Sequence, residues 1–157
     1  MHFKGYLSDE DTLFRIFFFR LLNKIETWTE LEKRLGEVSL NNFNLDKYSK
    51  VLTKMKEENP IYGNAFILCA NKVFGFDEKH NNHLALLKKV FTKDNLINDI
   101  IKAKSFEDLF LEFRKLPLIG NFMAYQIAID FTIEGPGAIR GINKCFSDIK
   151  PNVTGTP

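Results

Sequence analysis

The sequence predicts an all-α protein, a single-domain helical bundle of eight or nine helices. No segment alternates apolar and polar residues as a strand does, helix-capping patterns recur along the chain, and the links between predicted helices are short. A length of 157 residues suits one domain, and 45% hydrophobic residues with 16 Phe exclude intrinsic disorder. We assign residues 1–150 to the helical domain and 151–157 to a flexible C-terminal tail.

The predicted central helix covers 9–24 and opens at a capping-box pattern formed by Ser8 and Asp11. Its apolar residues cover most of the helix circumference, which is typical of a buried helix. A second pattern of this kind, Thr27 with Glu30, predicts the start of the next helix.

Glycine, proline and polar caps mark the other helices. Gly36 ends the second helix, Asn44 or Asp46 opens the third, and Asn59-Pro60 is typical of a helix start. The remaining predicted helices cover 61–74 (ending at Gly75), 82–91, 95–103, 105–115, 120–131 and 138–149.

Net charge and cysteine content indicate which partners and which cellular compartment to expect. The 22 basic and 20 acidic residues leave a net charge of +2, which does not by itself indicate nucleic acid but allows a local basic patch. Cys69 and Cys145 are too few for a disulfide framework, and their apolar surroundings favour reduced, buried thiols. With no membrane-length apolar run and no signal peptide, we expect a cytoplasmic protein, or one in the nucleus or host cytoplasm if it is viral, without a membrane partner.

A predicted helix–turn–helix hairpin covers 116–124. One helix ends near Lys115, a turn contains Pro117, and the next helix starts at Gly120. Amides at a helix start attract phosphate, and glycine allows a close approach, so Lys115, Gly120 and Asn121 are candidate DNA-binding residues. An ordinary turn between two helices is the alternative.

A second turn-and-helix pattern follows at Gly135, Pro136 and Gly137. Amides at the start of the helix after it could hold an anion, with Arg140 reaching the same ligand. Asp130 is the nearest acid on the hairpin helix and is a candidate catalytic residue, or merely a solvated or paired carboxylate.

Arg20 and Asn23 lie one turn apart in the apolar central helix. A buried arginine is costly without a partner, so Arg20 requires a carboxylate such as Asp130, or a ligand. A structural ion pair is the equal alternative.

His80 and His83, at i and i+3, share one helical face. Two histidines are fewer than the three or four ligands of a zinc site, so we predict no metal. They are candidates for phosphate or substrate contact, with a polar loop or cap as the alternative. Lys47, Lys50 and Lys54 share another face, which is a solvated surface or a patch for backbone phosphates.

Five stretches together resemble the helical domain attached to 5-hydroxymethyluracil DNA kinases, a family shared with the α-glutamyl/putrescinyl-thymine pyrophosphorylases. They are FFRLLNKIETW (18–28), IYGNAF (61–66), KHNNHLALL (79–87), GNFMAYQIAID (120–130) and GPGAIRGINKCF (135–146). The hairpin is similar to the helix-hairpin-helix element of DNA glycosylases, except that Leu118 stands where that element has its first glycine.

The resemblance implies a glycosylase-like fold that acts on modified pyrimidines in DNA. In the family's proposed chemistry, a base with a pyrophosphorylated hydroxymethyl group loses pyrophosphate and gains an amine. An anion pocket would then contain Arg20, Asn23, His80, His83, Gly135, Pro136, Gly137 and Arg140, with Asp130 or Glu26 as the base. The implied partners are DNA and a kinase that acts on the same base, and no cofactor is expected.

Other functions stay open at this point. The chain has no Gly-x4-Gly-Lys-Ser/Thr loop, so it is not a kinase by that mechanism. The family's additional N- and C-terminal segments have no counterpart here, which makes an accessory domain an alternative to an enzyme. A non-catalytic helix-hairpin-helix DNA-binding module, or a protein-interaction domain of a viral or mobile-element protein, are further alternatives.

Overall fold

A computed structural model describes residues 8–64 and 72–134, which contain helices and no strand. The seven helices of this part are α1 (Asp9–Leu22), α2 (Ile25–Leu35), α3 (Leu45–Glu58), α4 (Lys79–Lys88), α5 (Ile97–Ile101), α6 (Phe106–Arg114) and α7 (Asn121–Glu134). The chain continues from α4 into a π-helical turn, Lys89–Lys93. The all-α prediction is confirmed for the described residues, and none of their helices is long and apolar enough to span a membrane.

Helix α1 begins where the capping pattern predicts. The Ser8 hydroxyl accepts the backbone N–H of Asp11 at 3.1 Å, and three acidic residues lie in the first turn. Arg20 lies in the last turn, where a cation stabilises the helix dipole, and Asn23 ends the helix with a positive φ of 50°. The carboxylate of Asp11 binds the backbone N–H of Leu40 at 2.7 Å and Nε of Arg15 at 3.1 Å.

The hydrophobic core surrounds α1. This agrees with the sequence, in which apolar residues occur on nearly all sides of this helix. Phe14, Phe17 and Phe18 are at most 1% exposed. Phe17 packs against Phe113 of α6, which in turn meets Phe131 of α7 edge-on at 4.9 Å between ring centroids. Edge-on and tilted pairs are the favourable geometries for aromatic rings, so these contacts fix α6 and α7 against the central helix.

The predicted capping box at Thr27 and Glu30 is wrong. Helix α2 starts two residues earlier, at Ile25, and Thr27 lies buried inside its first turn. The Thr27 hydroxyl donates to the carbonyl oxygen of Ile61 at 2.8 Å, so a tertiary partner has replaced the local one. Gly36 ends α2 with a φ of 79°, as predicted.

The predicted helix over 61–74 is also wrong wherever the structure describes it, because 61–64 and 72–74 are not helical. Asn59 ends α3 instead of opening a new helix. The following chain runs along the corner between α1 and α2, where Gly63 donates its N–H to the carbonyl of Leu22 at 3.0 Å. These tertiary hydrogen bonds replace the helical ones that Asn59-Pro60 predicts.

Two further N-caps are confirmed. Asn44 accepts the backbone N–H of Lys47 at 2.9 Å, and Ser105 accepts that of Asp108 at 3.0 Å. Helix α4 begins three residues before the predicted position 82, and α5 is shorter than the predicted 95–103. The predicted helix over 138–149, the tail 151–157, Cys69 and Cys145 lie outside the described residues. The count of seven applies to the described residues: 61–64 and 72–74 are not helical there, and 138–149 lies outside them.

Candidate functional site

An ion pair joins the end of α1 to α7. Nε and Nη2 of Arg20 lie 2.8 and 2.6 Å from Oδ2 of Asp130, and Nη1 lies 3.4 Å from Oδ1 of Asn23. Both charged side chains are partly buried, with 17% and 23% of their surface exposed. The arginine of the central helix thus has the acidic partner that its sequence position requires, 110 residues away along the chain.

Asn23 and Gly63 bring two backbone segments into close contact. Asn23 has a left-handed backbone conformation, which asparagine tolerates better than most residues. An ideal Cβ on Gly63 would lie 2.1 Å from the carbonyl oxygen of Asn23. Only glycine therefore allows the chain at 61–64 to pass this close to the end of α1.

An open cleft of about 520 Å³ lies beside this contact. Its lining residues combine aromatic rings, amides and charges, and include Phe19, Asn23, Lys24, Glu26, Tyr62 and Asn64. Glu26 is exposed and also lines a second cleft, of about 550 Å³, which shares Lys24 and Pro60 with the first. Lys24 Nζ donates to the carbonyl of Pro60 at 2.5 Å, and both residues line both clefts.

Tyr62 is held at the wall of the cleft by two residues of α4. Its hydroxyl lies 2.8 Å from Nδ1 of His83, and the two rings meet edge-on at 5.4 Å. Nζ of Lys79 lies 4.2 Å from the centroid of the Tyr62 ring. Burial raises the pKa of the Tyr62 phenol above its usual 10, so the hydroxyl stays protonated and can donate to His83.

His80 contacts α3. Its side chain is 1% exposed, with Nε2 2.8 Å from the Thr53 hydroxyl and Nδ1 3.8 Å from Oε2 of Glu78. The predicted pair therefore does share one helix, but His83 connects to the cleft through Tyr62 while His80 joins α4 to α3. A role for either in phosphate contact stays a prediction.

The hairpin between α6 and α7 has the predicted turn. Ile119 donates its N–H to the carbonyl of Leu116 at 3.4 Å, with Pro117 and Leu118 between them. Leu118 has a φ of 68°, in the left-handed region that favours glycine. Leucine thus stands at a position whose backbone conformation favours glycine.

Helix α7 starts at the tip of this hairpin. The carbonyl of Gly120 accepts the N–H of Ala124 at 2.9 Å, and Gly120 and Asn121 are exposed. Nothing lies within 4 Å of an ideal Cβ on Gly120, so the space in front of the first turn is open. Lys115 is exposed and pairs with Glu112 at 2.8 Å. DNA binding by these three residues stays a prediction.

The remaining predicted residues lie elsewhere. Lys47, Lys50 and Lys54 are exposed on α3, as either alternative for that face requires. Gly135, Pro136, Gly137 and Arg140 lie outside the described residues. Within 8–64 and 72–134, no group of three or more His, Cys, Asp or Glu side chains is placed to hold a metal ion.

Sequence reasoning named Arg20, Asn23, Glu26 and Asp130 but missed Tyr62 and Gly63. The signal for them lay in the segment IYGNAF, where a glycine directly follows an aromatic residue. Its interpretation as a helix hid the close backbone approach that requires glycine.

Gly63→Ala tests this close approach. The added methyl group must displace the carbonyl of Asn23, so we expect the free energy of unfolding to fall by about 1–3 kcal/mol. Chemical denaturation measures the change. Gly120→Ala is the matched control and should stay within about 1 kcal/mol, since its methyl group enters open space. Equal losses for the two variants would contradict the contact.

His80→Gln tests the buried imidazole. Burial lowers the pKa of His80 below its usual 6.5, with Lys56 adding to the shift and Glu78 opposing it. The unfolded chain therefore binds the proton more tightly, and the wild-type protein should lose stability as the pH falls below 6.5. Denaturation at about pH 7.5 and about pH 5.5 should show a smaller loss for His80→Gln. Lys56 also lowers the pKa of Glu78 below its usual 4.5, so the stability linked to Glu78 is lost only at lower pH. Identical pH dependence in both proteins would show that His80 is not the titrating group.

One family model matches this chain, over residues 2–155, and its description is "5-hmdU DNA kinase, helical domain". The comparison with curated proteins gives no match, and neither does the comparison with solved structures. The matched range includes every residue of the cleft, the Arg20–Asp130 pair and the hairpin. The chain belongs to the family of the 5-hmdU DNA kinase helical domain.

Proposed function

We propose that this chain modifies 5-substituted pyrimidines in DNA, by exchanging a pyrophosphate on the 5-hydroxymethyl group for an amine. Membership of the 5-hmdU DNA kinase helical-domain family is consistent with DNA modification at hypermodified bases. The observation that carries the proposal is the guanidinium of Arg20, which Asp130 holds next to a cleft lined by amide and aromatic side chains. A kinase acting on the same base is the proposed supplier of the phosphorylated substrate.

The reaction breaks one bond and forms another at the exocyclic carbon. The C–O bond to pyrophosphate breaks and its electron pair leaves with the oxygen, while the amine nitrogen forms a C–N bond to the same carbon. The nitrogen then loses a proton to a carboxylate. Negative charge accumulates on the leaving oxygen, so a fixed positive charge beside it lowers the barrier.

Arg20 supplies that charge in the proposal. Its guanidinium has five N–H donors, and its contacts with Asp130 and Asn23 occupy three of them. The hydrogen bonds between described residues thus leave two N–H groups of Arg20 that could bind oxygen atoms of pyrophosphate. Because two contacts from Asp130 fix the plane of the guanidinium, its charge is oriented before the substrate binds.

Glu26 is the proposed base, and Asp130 the residue that positions Arg20. Oδ2 of Asp130 already accepts two N–H groups of the Arg20 guanidinium, so this carboxylate is engaged in holding Arg20. Glu26 is exposed at the rim of both clefts and can therefore meet an amine from solvent. Gly135, Pro136, Gly137 and Arg140 belong to the same proposed anion pocket through their sequence pattern alone.

A non-catalytic DNA-binding module is the second candidate, and the hairpin favours it. Leu118 has the backbone conformation of a glycine, and Gly120 presents the open start of α7. This arrangement supports a phosphate-binding role of the kind found in helix-hairpin-helix proteins, and with it a glycosylase-like fold. Phe14, Phe17 and Phe18 of α1 are buried and Phe19 is partly buried, so α1 does not present the exposed Phe-rich surface that would favour a protein-interaction domain.

Gly120→Asp tests the hairpin. A carboxylate at the start of α7 would repel a DNA phosphate, so affinity for duplex DNA should fall at least about tenfold. Fluorescence anisotropy with a labelled duplex measures it, and thermal denaturation confirms that the variant is folded. Gly120→Ala should bind within about twofold of wild type because its methyl group is small and uncharged. Unchanged binding by a folded Gly120→Asp variant would exclude the hairpin as the DNA site.

Arg20→Ala tests the catalytic proposal. On duplex DNA carrying pyrophosphorylated 5-hydroxymethyluracil, with putrescine as the amine, the rate of amine transfer should fall at least about 100-fold. Mass spectrometry of the digested nucleosides measures the product. Arg34→Ala is the matched control, since Arg34 forms an exposed ion pair with Glu30 and should leave the rate unchanged. A fully active Arg20→Ala variant would remove Arg20 from the site.

A further inference from the structure

We propose that the cleft beside Tyr62 binds the pyrimidine itself after it has left the DNA stack, with the Tyr62 ring as the surface on which the base lies. This inference rests on the proposed function and names the recognition element of the same site. The ligand class is a 5-substituted uracil nucleotide within DNA, and Tyr62 is a base-binding residue outside the predicted site.

The side chains that line the cleft are suited to a base that has left the duplex, rather than to a base that is still stacked within it. A uracil inside the duplex already exposes its 5-substituent in the major groove, whereas its ring faces and its imide edge are covered. Aromatic rings and amides recognise those covered parts, and the cleft contains both kinds of side chain. Its volume of about 520 Å³ lies in the range of roughly 300–1,000 Å³ that is typical of small-molecule sites.

Tyr62 has the fixed orientation that a stacking surface needs. His83 holds its hydroxyl at 2.8 Å and meets the ring edge-on, and Lys79 lies 4.2 Å from the ring centroid. Both residues come from α4, so the ring is tied to a regular helix although Tyr62 itself lies in an irregular segment. A platform held in this way binds with little loss of side-chain freedom.

Asn23 and Asn64 provide amides at the same cleft. An amide group offers both a donor and an acceptor, and the imide edge of uracil presents an N–H between two carbonyl oxygens. Asn23 also contacts Arg20, at 3.4 Å from Nη1 to Oδ1. A base in the cleft is therefore one side chain away from the guanidinium proposed to hold its pyrophosphate.

The test compares duplexes that differ only in carrying thymine or pyrophosphorylated 5-hydroxymethyluracil, each next to 2-aminopurine, whose fluorescence rises when the stack opens. Wild-type protein should bind the pyrophosphorylated duplex more tightly and raise its fluorescence, because only that base carries the pyrophosphate proposed to bind Arg20, whereas thymine should stay in the stack. Tyr62→Leu removes one base–aromatic stack from the extruded base alone, so it should reduce the ratio of the two affinities about tenfold and remove the fluorescence rise. Tyr62→Phe keeps the ring and should retain most of the ratio. Phe76→Leu is the control and should match wild type, because Phe76 is an exposed aromatic residue outside the lining of the cleft.

The ratio of two affinities, measured on one preparation, does not depend on the fraction of protein that is folded. A Tyr62→Leu variant with the wild-type ratio and fluorescence rise would overturn this inference alone, because the wild-type protein would still discriminate the modified base. A wild-type protein that binds both duplexes equally would overturn the inference together with the proposed function.

Discussion

The ion pair between Arg20 and Asp130 is the contact on which the candidate site depends. A charged side chain on the buried central helix is costly unless an opposite charge reaches it, and Asp130 does so from α7. The pair therefore fixes the end of α1 against the last described helix at the point where Asn23 turns the chain. Gly63 packs against that turn and brings Tyr62 to the wall of the cleft. The position of the cleft thus follows from where the central helix ends and from what its arginine requires.

The described residues form three regions: an aromatic core, a polar cleft and the hairpin before α7. The aromatic core around α1 supplies stability. Phe14 contacts a ring of the π-helical turn after α4, Phe17 a ring of α6 and Phe18 a ring of α2. The polar residues lie at the end of α1 and along one side of α4, where His83 and Lys79 hold Tyr62. The hairpin before α7 is a third region, and its open helix start is suited to a phosphate rather than to a base. A domain of this kind could hold the DNA backbone with one part and a modified base with another.

The sequence predicted most of what depends on local patterns. The all-α class, the buried central helix, the caps at Ser8, Asn44 and Ser105, and the hairpin turn are each determined by neighbouring residues. The errors occurred where a distant partner replaced a local one. Thr27 bonds Ile61 instead of capping α2, and the chain after Asn59 bonds the corner of α1 and α2 instead of forming a helix. Asp130 was one of the partners expected for Arg20, because a buried charge requires a carboxylate or a ligand, and the structure places it there. Tyr62 carries no charge that would reveal it.

Binding to modified DNA tests the central claim most directly. The purified protein would be titrated with duplexes carrying thymine, 5-hydroxymethyluracil or a phosphorylated form of that base, each at a low and at a physiological salt concentration. Phosphate contacts weaken with salt, whereas recognition of a base edge depends on salt much less. A preference for a modified base that persists at the higher salt concentration would agree with a base-binding cleft. Equal affinities that fall in parallel with salt would contradict it and leave a DNA-backbone-binding module.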